Sequence, residues 1–195
     1  MKLLEERIRR EGTVIGDDVL KVDMFLNHQL DVALIDEMGK AFYEAFQNDG
    51  VTKILTVEAS GIALAALTAR YFGVPVVFAK KAGHRNVGTD LYTATCHSFT
   101  HGTDSTICVS RRYLHENDVI LIIDDFLADG NACNALRKLI GDAGAKLAGI
   151  GIGIEKGFQP GGAKLRSEGI KVRSLAIVES MKNGNIVFRS DDAER

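Results

Sequence analysis

The sequence predicts an α/β fold with a mainly parallel sheet flanked by helices, on three observations. Lys53-Ile54-Leu55-Thr56-Val57, a helical stretch over residues 62–72, and Val74-Pro75-Val76-Val77-Phe78-Ala79 follow one another as strand, helix and strand. Compressed into about thirty residues, that order requires a right-handed crossover and a parallel pair. Asp118-Val119-Ile120-Leu121-Ile122-Ile123 is the most apolar run in the chain, and its brevity between polar flanks fits a strand buried on both faces. A helix over residues 132–140 and a strand over 148–154 then repeat the alternation, the pattern of an α/β sheet rather than of segregated helices and strands.

The remaining elements are read in chain order. Leu4 and Ile8, set among charged residues, predict a short amphipathic helix ending near Gly12. Asp31 stands as the cap of a longer helix in which Ile35, Met38, Phe42, Ala45 and Phe46 share one face, closed by Asn48-Asp49-Gly50. Glu58-Ala59-Ser60-Gly61 is a small-residue turn, and Gly73 closes the helix that follows it. Residues 82–90 are polar and contain Gly83 and Gly88, after which residues 91–99 and 106–109 predict a hairpin around a turn at 100–103. Residues 124–131 read as a loop, and short strands at 172–177 and 186–188 finish the sheet.

The 195 residues suit one domain, 1–195. With 46% hydrophobic and 26% charged residues the composition is that of an ordinary globular protein. A net charge of −2 gives no broad basic field, which argues against nucleic acid as partner and for a small ligand. No run approaches the ~18 apolar residues of a membrane span, and Met1 to Ile8 carries charges where a secretory leader needs an apolar stretch. Cys96, Cys108 and Cys133 are odd in number and lack metal-type spacing. They read as reduced thiols of a cytoplasmic protein, with no membrane partner.

The chemistry concentrates where the most apolar strand ends. Asp124 and Asp125 are followed by Phe126-Leu127-Ala128-Asp129-Gly130-Asn131-Ala132 and a helix. Ligands of open α/β sheets bind beyond the carboxyl ends of the strands. An ionised Asp pair accepts hydrogen bonds from adjacent sugar hydroxyls, and a small-residue loop lets backbone N–H groups approach a phosphate at a helix N-terminus. One ribose 5-phosphate would satisfy both halves; a solvated turn or a metal site is the alternative for the Asp pair.

This strand, acidic pair, loop and helix resemble the phosphoribosyl-pyrophosphate motif of the type I phosphoribosyltransferase family. The resemblance implies that fold, with a small hood from the N-terminal and C-terminal segments. It implies that Asp124 and Asp125 are the catalytic pair on the ribose hydroxyls, and that Ala128, Asp129, Gly130, Asn131 and Ala132 receive the 5-phosphate. The commoner family loop has Thr-Gly where this chain has Asp129-Gly130. Asp129 beside a dianion is repulsive unless it points away, so backbone amides are expected to dominate. Ala59, Ser60 and Gly61 resemble the family's pyrophosphate turn, although Ser60 also reads as a plain helix cap. Lys81 matches the position of a pyrophosphate-binding cation, with His84 and Arg85 close by, and residues 82–90 resemble a lid.

Similarity to the xanthine-specific branch runs over nearly the whole chain: Val19-Leu20-Lys21-Val22-Asp23, Phe25-Leu26-Asn27-His28-Gln29 and Ile154-Glu155-Lys156-Gly157-Phe158-Gln159-Pro160-Gly161 carry it. It implies that Leu20, Asn27 and Lys156 meet the base, while Phe158 reads as core. Xanthine and phosphoribosyl pyrophosphate are the implied substrates, Mg2+ the implied companion of the pyrophosphate with no dedicated protein metal site, and a homodimer the implied assembly. Transfer to guanine, hypoxanthine or adenine, and a non-catalytic regulator that senses phosphoribosyl pyrophosphate, are the competing functions.

Overall fold

The computed structural model describes residues 1–81, 90–98 and 103–190. The sheet they form runs β10-β9-β8-β7-β3-β4-β6-β5. Its parallel centre is β3 (Lys53–Val57), β4 (Val76–Lys81), β7 (Val119–Leu127), β8 (Lys146–Lys156) and β9 (Val172–Ser180). The antiparallel hairpin of β5 (Leu91–Ser98) and β6 (Thr103–Ser110) extends one edge through β4, and β10 (Val187–Phe188) closes the other. Most of the turn expected at 100–103, and all but Asp90 of the lid expected at 82–90, lie outside the described residues.

Helices cover both faces. α2 (Val32–Phe46) begins at Asp31, whose side chain accepts the Leu34 N–H at 3.1 Å, a cap of the kind that contributes about 1 kcal/mol. It lies close on β8 because β8 presents glycines to it. A methyl on Gly149 would meet Phe46 at 2.5 Å, one on Gly151 would meet Phe42 at 2.8 Å, and one on Gly153 would meet Met38 at 3.2 Å. Four residues of helix rise about 6 Å and two of strand about 6.6 Å, so the two patterns stay in step. α1 (Lys2–Glu11) and α3 (Gly61–Phe72) pack on this face. α4 (Asn131–Asp142) and α5 (Gly161–Ser167) cover the other, over Ile120, Ile122, Ile150 and Ile152.

Several boundaries differ from the sequence reading, and those nearest the acidic pair matter most. β7 does not stop before the acidic pair: Asp124 pairs with Ile152, Phe126 with Ile154 and Leu127 with Glu155. The expected loop at 124–131 therefore shrinks to Ala128-Asp129-Gly130, because β8 offers ladder partners that outweigh the polarity of two side chains. β8 itself runs on through Glu155 and Lys156. β4 begins at Val76 rather than Val74, after Pro75, which has no N–H to donate.

A small hood stands at one end of the sheet, formed from both ends of the chain as the resemblance implied. β1 (Thr13–Ile15) and β2 (Val19–Lys21) make a hairpin around Gly16, which has φ +62°. A π-helical turn follows at Asp23–Asn27. The 3-10 turn Lys182–Gly184 reaches back to the hairpin, where the Asn183 N–H donates to Asp17 Oδ1 at 3.4 Å.

Candidate active site

Asp124 and Asp125 are 4% and 6% exposed, inside the ladder rather than at a solvated strand end. Asp124 Oδ1 accepts the Asp125 N–H at 3.1 Å. Burial, and then the charge of Asp125, hold the Asp124 carboxyl well above the usual carboxylate range. The start of α3 presses against this pair. A methyl on Gly61 would stand 2.8 Å from Asp124 Oδ1 and 2.2 Å from Thr56 Oγ1, so only glycine fits there. Thr56 Oγ1 is itself buried without a hydrogen-bond partner.

Beyond the pair, Ala128-Asp129-Gly130 turns the chain into α4. Gly130 takes the left-handed conformation (φ +84°, ψ 10°) and caps the helix without a side-chain hydrogen bond. Asn131, Ala132 and Cys133 then form the first turn of that helix. The loop and this turn line a cavity of about 280 Å³ whose opposite walls are Val57 and Glu58, Lys81, and Cys96, Ser105 and Ile107 of the hairpin. The structure thus brings Ala128, Asp129, Gly130, Asn131, Ala132 and Lys81 together around one space. Asp124 and Asp125 are not among its lining residues. Aligned backbone dipoles at a helix start attract an anion.

The turn after β3 follows a cis peptide bond between Glu58 and Ala59. Ala59 is exposed, Ser60 precedes α3 and Gly61 opens it. Ser60 makes no side-chain cap hydrogen bond, so the plain-cap reading does not account for it. Lys81 is the last residue of β4 rather than a residue beyond it, and its N–H donates to Glu58 Oε1 at 2.8 Å. His84 and Arg85 lie outside the described residues.

The residues expected to meet a base come from distant parts of the chain. Lys156 Nζ donates to the Asp18 carbonyl at 2.6 Å, in the hood hairpin turn. Leu20, two positions further along that hairpin, is buried. Burial depresses the Lys156 ammonium, while the charges of Asp18 and Asp129 act in the other direction. Asn27 is exposed at the end of the π-helical turn. Phe158 is 41% exposed, which corrects the reading of it as core. It sits in a Gly-Phe-Gln-Pro-Gly loop that neither strand nor helix carries inward.

Among the described residues no group of three or more His, Cys, Asp or Glu is arranged to hold a metal ion. A cation here would rely on oxygens that a substrate brings.

Comparisons with known proteins identify the family. The family described as phosphoribosyl transferase domain matches residues 21–193. A curated protein of Ruminiclostridium cellulolyticum named xanthine phosphoribosyltransferase is 56% identical over 188 residues, covering 96% of this chain and 99% of its own. One of the same name from Bifidobacterium adolescentis is 58% identical over 193 residues, covering 97% and 100%. In fold, the chain is similar to the solved structure of APRTase from Giardia lamblia complexed with 9-deazaadenine. The TM-score is 0.76 at 24% identity, over 89% of this chain and 96% of that one. The matched span, and identities above one half over nearly the full length, place this chain in the phosphoribosyl transferase domain family.

Proposed function

We propose that the chain is a purine salvage enzyme that transfers the 5-phosphoribosyl group from phosphoribosyl pyrophosphate to xanthine, releasing xanthosine 5-monophosphate and pyrophosphate. The observation that carries this reading is the buried acidic pair at the end of β7 leading through a short glycine turn into the N-terminus of α4. The choice of xanthine is supported by the names of the relatives at 56% and 58% identity.

In this mechanism the amides of Asn131 and Ala132 and the Ala128-Asp129-Gly130 backbone hold the 5-phosphate, and Asp124 and Asp125 accept the ribose hydroxyls. The C1–O bond to pyrophosphate breaks, pyrophosphate leaves with the electron pair, and a ring nitrogen of xanthine forms the new C1–N bond as its proton is lost. Positive charge developing on the ribose is stabilised by the negative charge that the acidic pair carries. Lys81 and the backbone of Ala59, Ser60 and Gly61 face the leaving pyrophosphate. With no cage of protein ligands among the described residues, the site fits Mg2+ carried by substrate oxygens and water, a habit of that ion. It would neutralise charge on the pyrophosphate, and the chain contributes only by fixing the hydroxyls that share it. The reading extends to a homodimer in the cytoplasm, on the family resemblance. Among the described residues no helix is long and apolar enough to cross a membrane.

Xanthine presents two carbonyl oxygens, which suit the Lys156 ammonium and the Asn27 amide, with Leu20 packed on the ring. Adenine offers a donor where Lys156 also donates, and a site built around one polar group rejects its mismatch by orders of magnitude. Hypoxanthine leaves one donor unpaired, a loss of about 1–3 kcal/mol. Competition among the four bases at equal concentration, read as nucleotides formed, should rank xanthine first, guanine and hypoxanthine behind, and adenine last. Adenine outrunning xanthine would overturn the base assignment. Binding of phosphoribosyl pyrophosphate with no nucleotide formed would point to a sensor instead.

A further inference from the structure

The phosphate loop and the segment that leaves Lys156 touch at a junction of main-chain atoms. Gly161, the first residue of α5, donates its N–H to the Ala128 carbonyl at 3.1 Å. A methyl on Gly161 would stand 2.3 Å from the Ala128 oxygen, 2.6 Å from the Asp129 carbonyl carbon and 2.6 Å from the Gly130 nitrogen. All three are backbone atoms, so none can swing aside as a side-chain end would. Gly162 stands back to back with it. A methyl there would lie 1.9 Å from Glu155 Oε1. That carboxylate is buried and held by Arg166 through hydrogen bonds of 2.8 and 2.7 Å, and by the Ser174 hydroxyl. Burial alone would raise the Glu155 carboxyl, yet the guanidinium and the hydroxyl hold it below the usual range. The segment from Lys156 to Gly161 is therefore wedged between the phosphate loop and a buried ion pair.

We propose that Gly161 is a positioning residue: its junction with Ala128, Asp129 and Gly130 sets the separation between the loop that receives the 5-phosphate and the strand end that meets the base. This rests on the phosphoribosyl-transfer reading. A nucleotide has a defined span from base to phosphate, so a site that grips both ends needs its two grips at one spacing, and a misplacement of about 1 Å can cost about 10²-fold in rate. A side chain at position 161 displaces the loop, because Glu155 and Arg166 lock the structure behind it.

The test is Gly161→Ala in the full chain, with Gly141→Ala as the control on a stretch of α4 where a methyl meets nothing within 4 Å. Gly161→Ala should raise the KM for phosphoribosyl pyrophosphate about tenfold or more and weaken ribose 5-phosphate binding in calorimetry to match, although the substituted residue lies outside the loop. Gly141→Ala should leave both constants unchanged. Unchanged constants in Gly161→Ala, with a loss only of Tm or of active fraction, would overturn the assignment. Should that variant fail to fold, hydrogen exchange on the parent decides. Ribose 5-phosphate should slow exchange at the Gly161 amide together with those of residues 131–133, and protection confined to the loop overturns the proposal. A parent that binds no ribose 5-phosphate overturns the phosphoribosyl reading itself, whereas normal parent binding beside an unaffected variant overturns this assignment alone.

Discussion

The two halves of the candidate site are held by different means. The ribose and phosphate half is built on neighbouring strand ends: Asp124 and Asp125 are laddered into β7, Gly61 is pressed on Asp124, and Gly130 turns directly into α4. The base half depends on a hood, and the hydrogen bond from Lys156 to Asp18 joins positions 138 apart in sequence. Its other members range from buried Leu20 to exposed Asn27 and Phe158. The difference separates two tasks. On the proposed reading, common chemistry on ribose and phosphate belongs to the sheet, and the choice of base to the place where the hood meets β8.

The largest test of that contrast is Asp124→Asn and Asp125→Asn. Each should lower kcat/KM by about one to three orders of magnitude with the fold intact, since an electrostatic contribution to the transition state is removed. Turnover near the parent's in both variants would take the pair out of the mechanism. Next comes a paired comparison across the two halves. Lys81→Ala should raise the KM for phosphoribosyl pyrophosphate and Lys156→Ala the KM for xanthine, each by about tenfold, the loss of one charged hydrogen bond. Equal changes for both substrates in either variant would erase the distinction between the halves.

The smallest effect concerns pH. The Asp124 carboxyl titrates in the folded protein well above its ordinary 3.8, so between those two values the folded state holds more protons than the unfolded one. Stability must then fall as pH rises through that window. Asp124→Asn removes this slope, and the Tm difference, variant minus parent, should grow as pH rises above about 4. Melting curves of the protein without substrate check it, and a constant difference would mean that the carboxyl is ionised throughout.

Much of the ribose and phosphate half was legible in the sequence because local rules generate it. Lys53–Val57 is a short apolar run with the bounds of β3, and Gly73 ends α3 in the left-handed conformation, with φ +66°. The continuation of β7 through two carboxylates was not legible, because what keeps them in the strand is the ladder with β8, a long-range partner. The hood hairpin escaped for the same reason. Strands of three residues have little periodicity of their own, and here contacts from the far end of the chain support them. Leu20, Asn27 and Lys156 came from resemblance, since no spacing rule brings residue 18 to residue 156.

Two of the three cysteines stand in the wall of the phosphate cavity, and that location bears on how the protein meets thiol chemistry. Cys133 occupies the first turn of α4, where a helix N-terminus ordinarily favours a thiolate. Burial and the nearby charge of Asp124 prevail instead and push this thiol upward, as burial also does for Cys96. Both sulfurs are therefore poor nucleophiles at neutral pH. Alkylating reagents and mild oxidants find few thiolates to attack in this wall, so a pocket containing two cysteines is chemically quiet, and a dianionic phosphate seated beside them would make it quieter still.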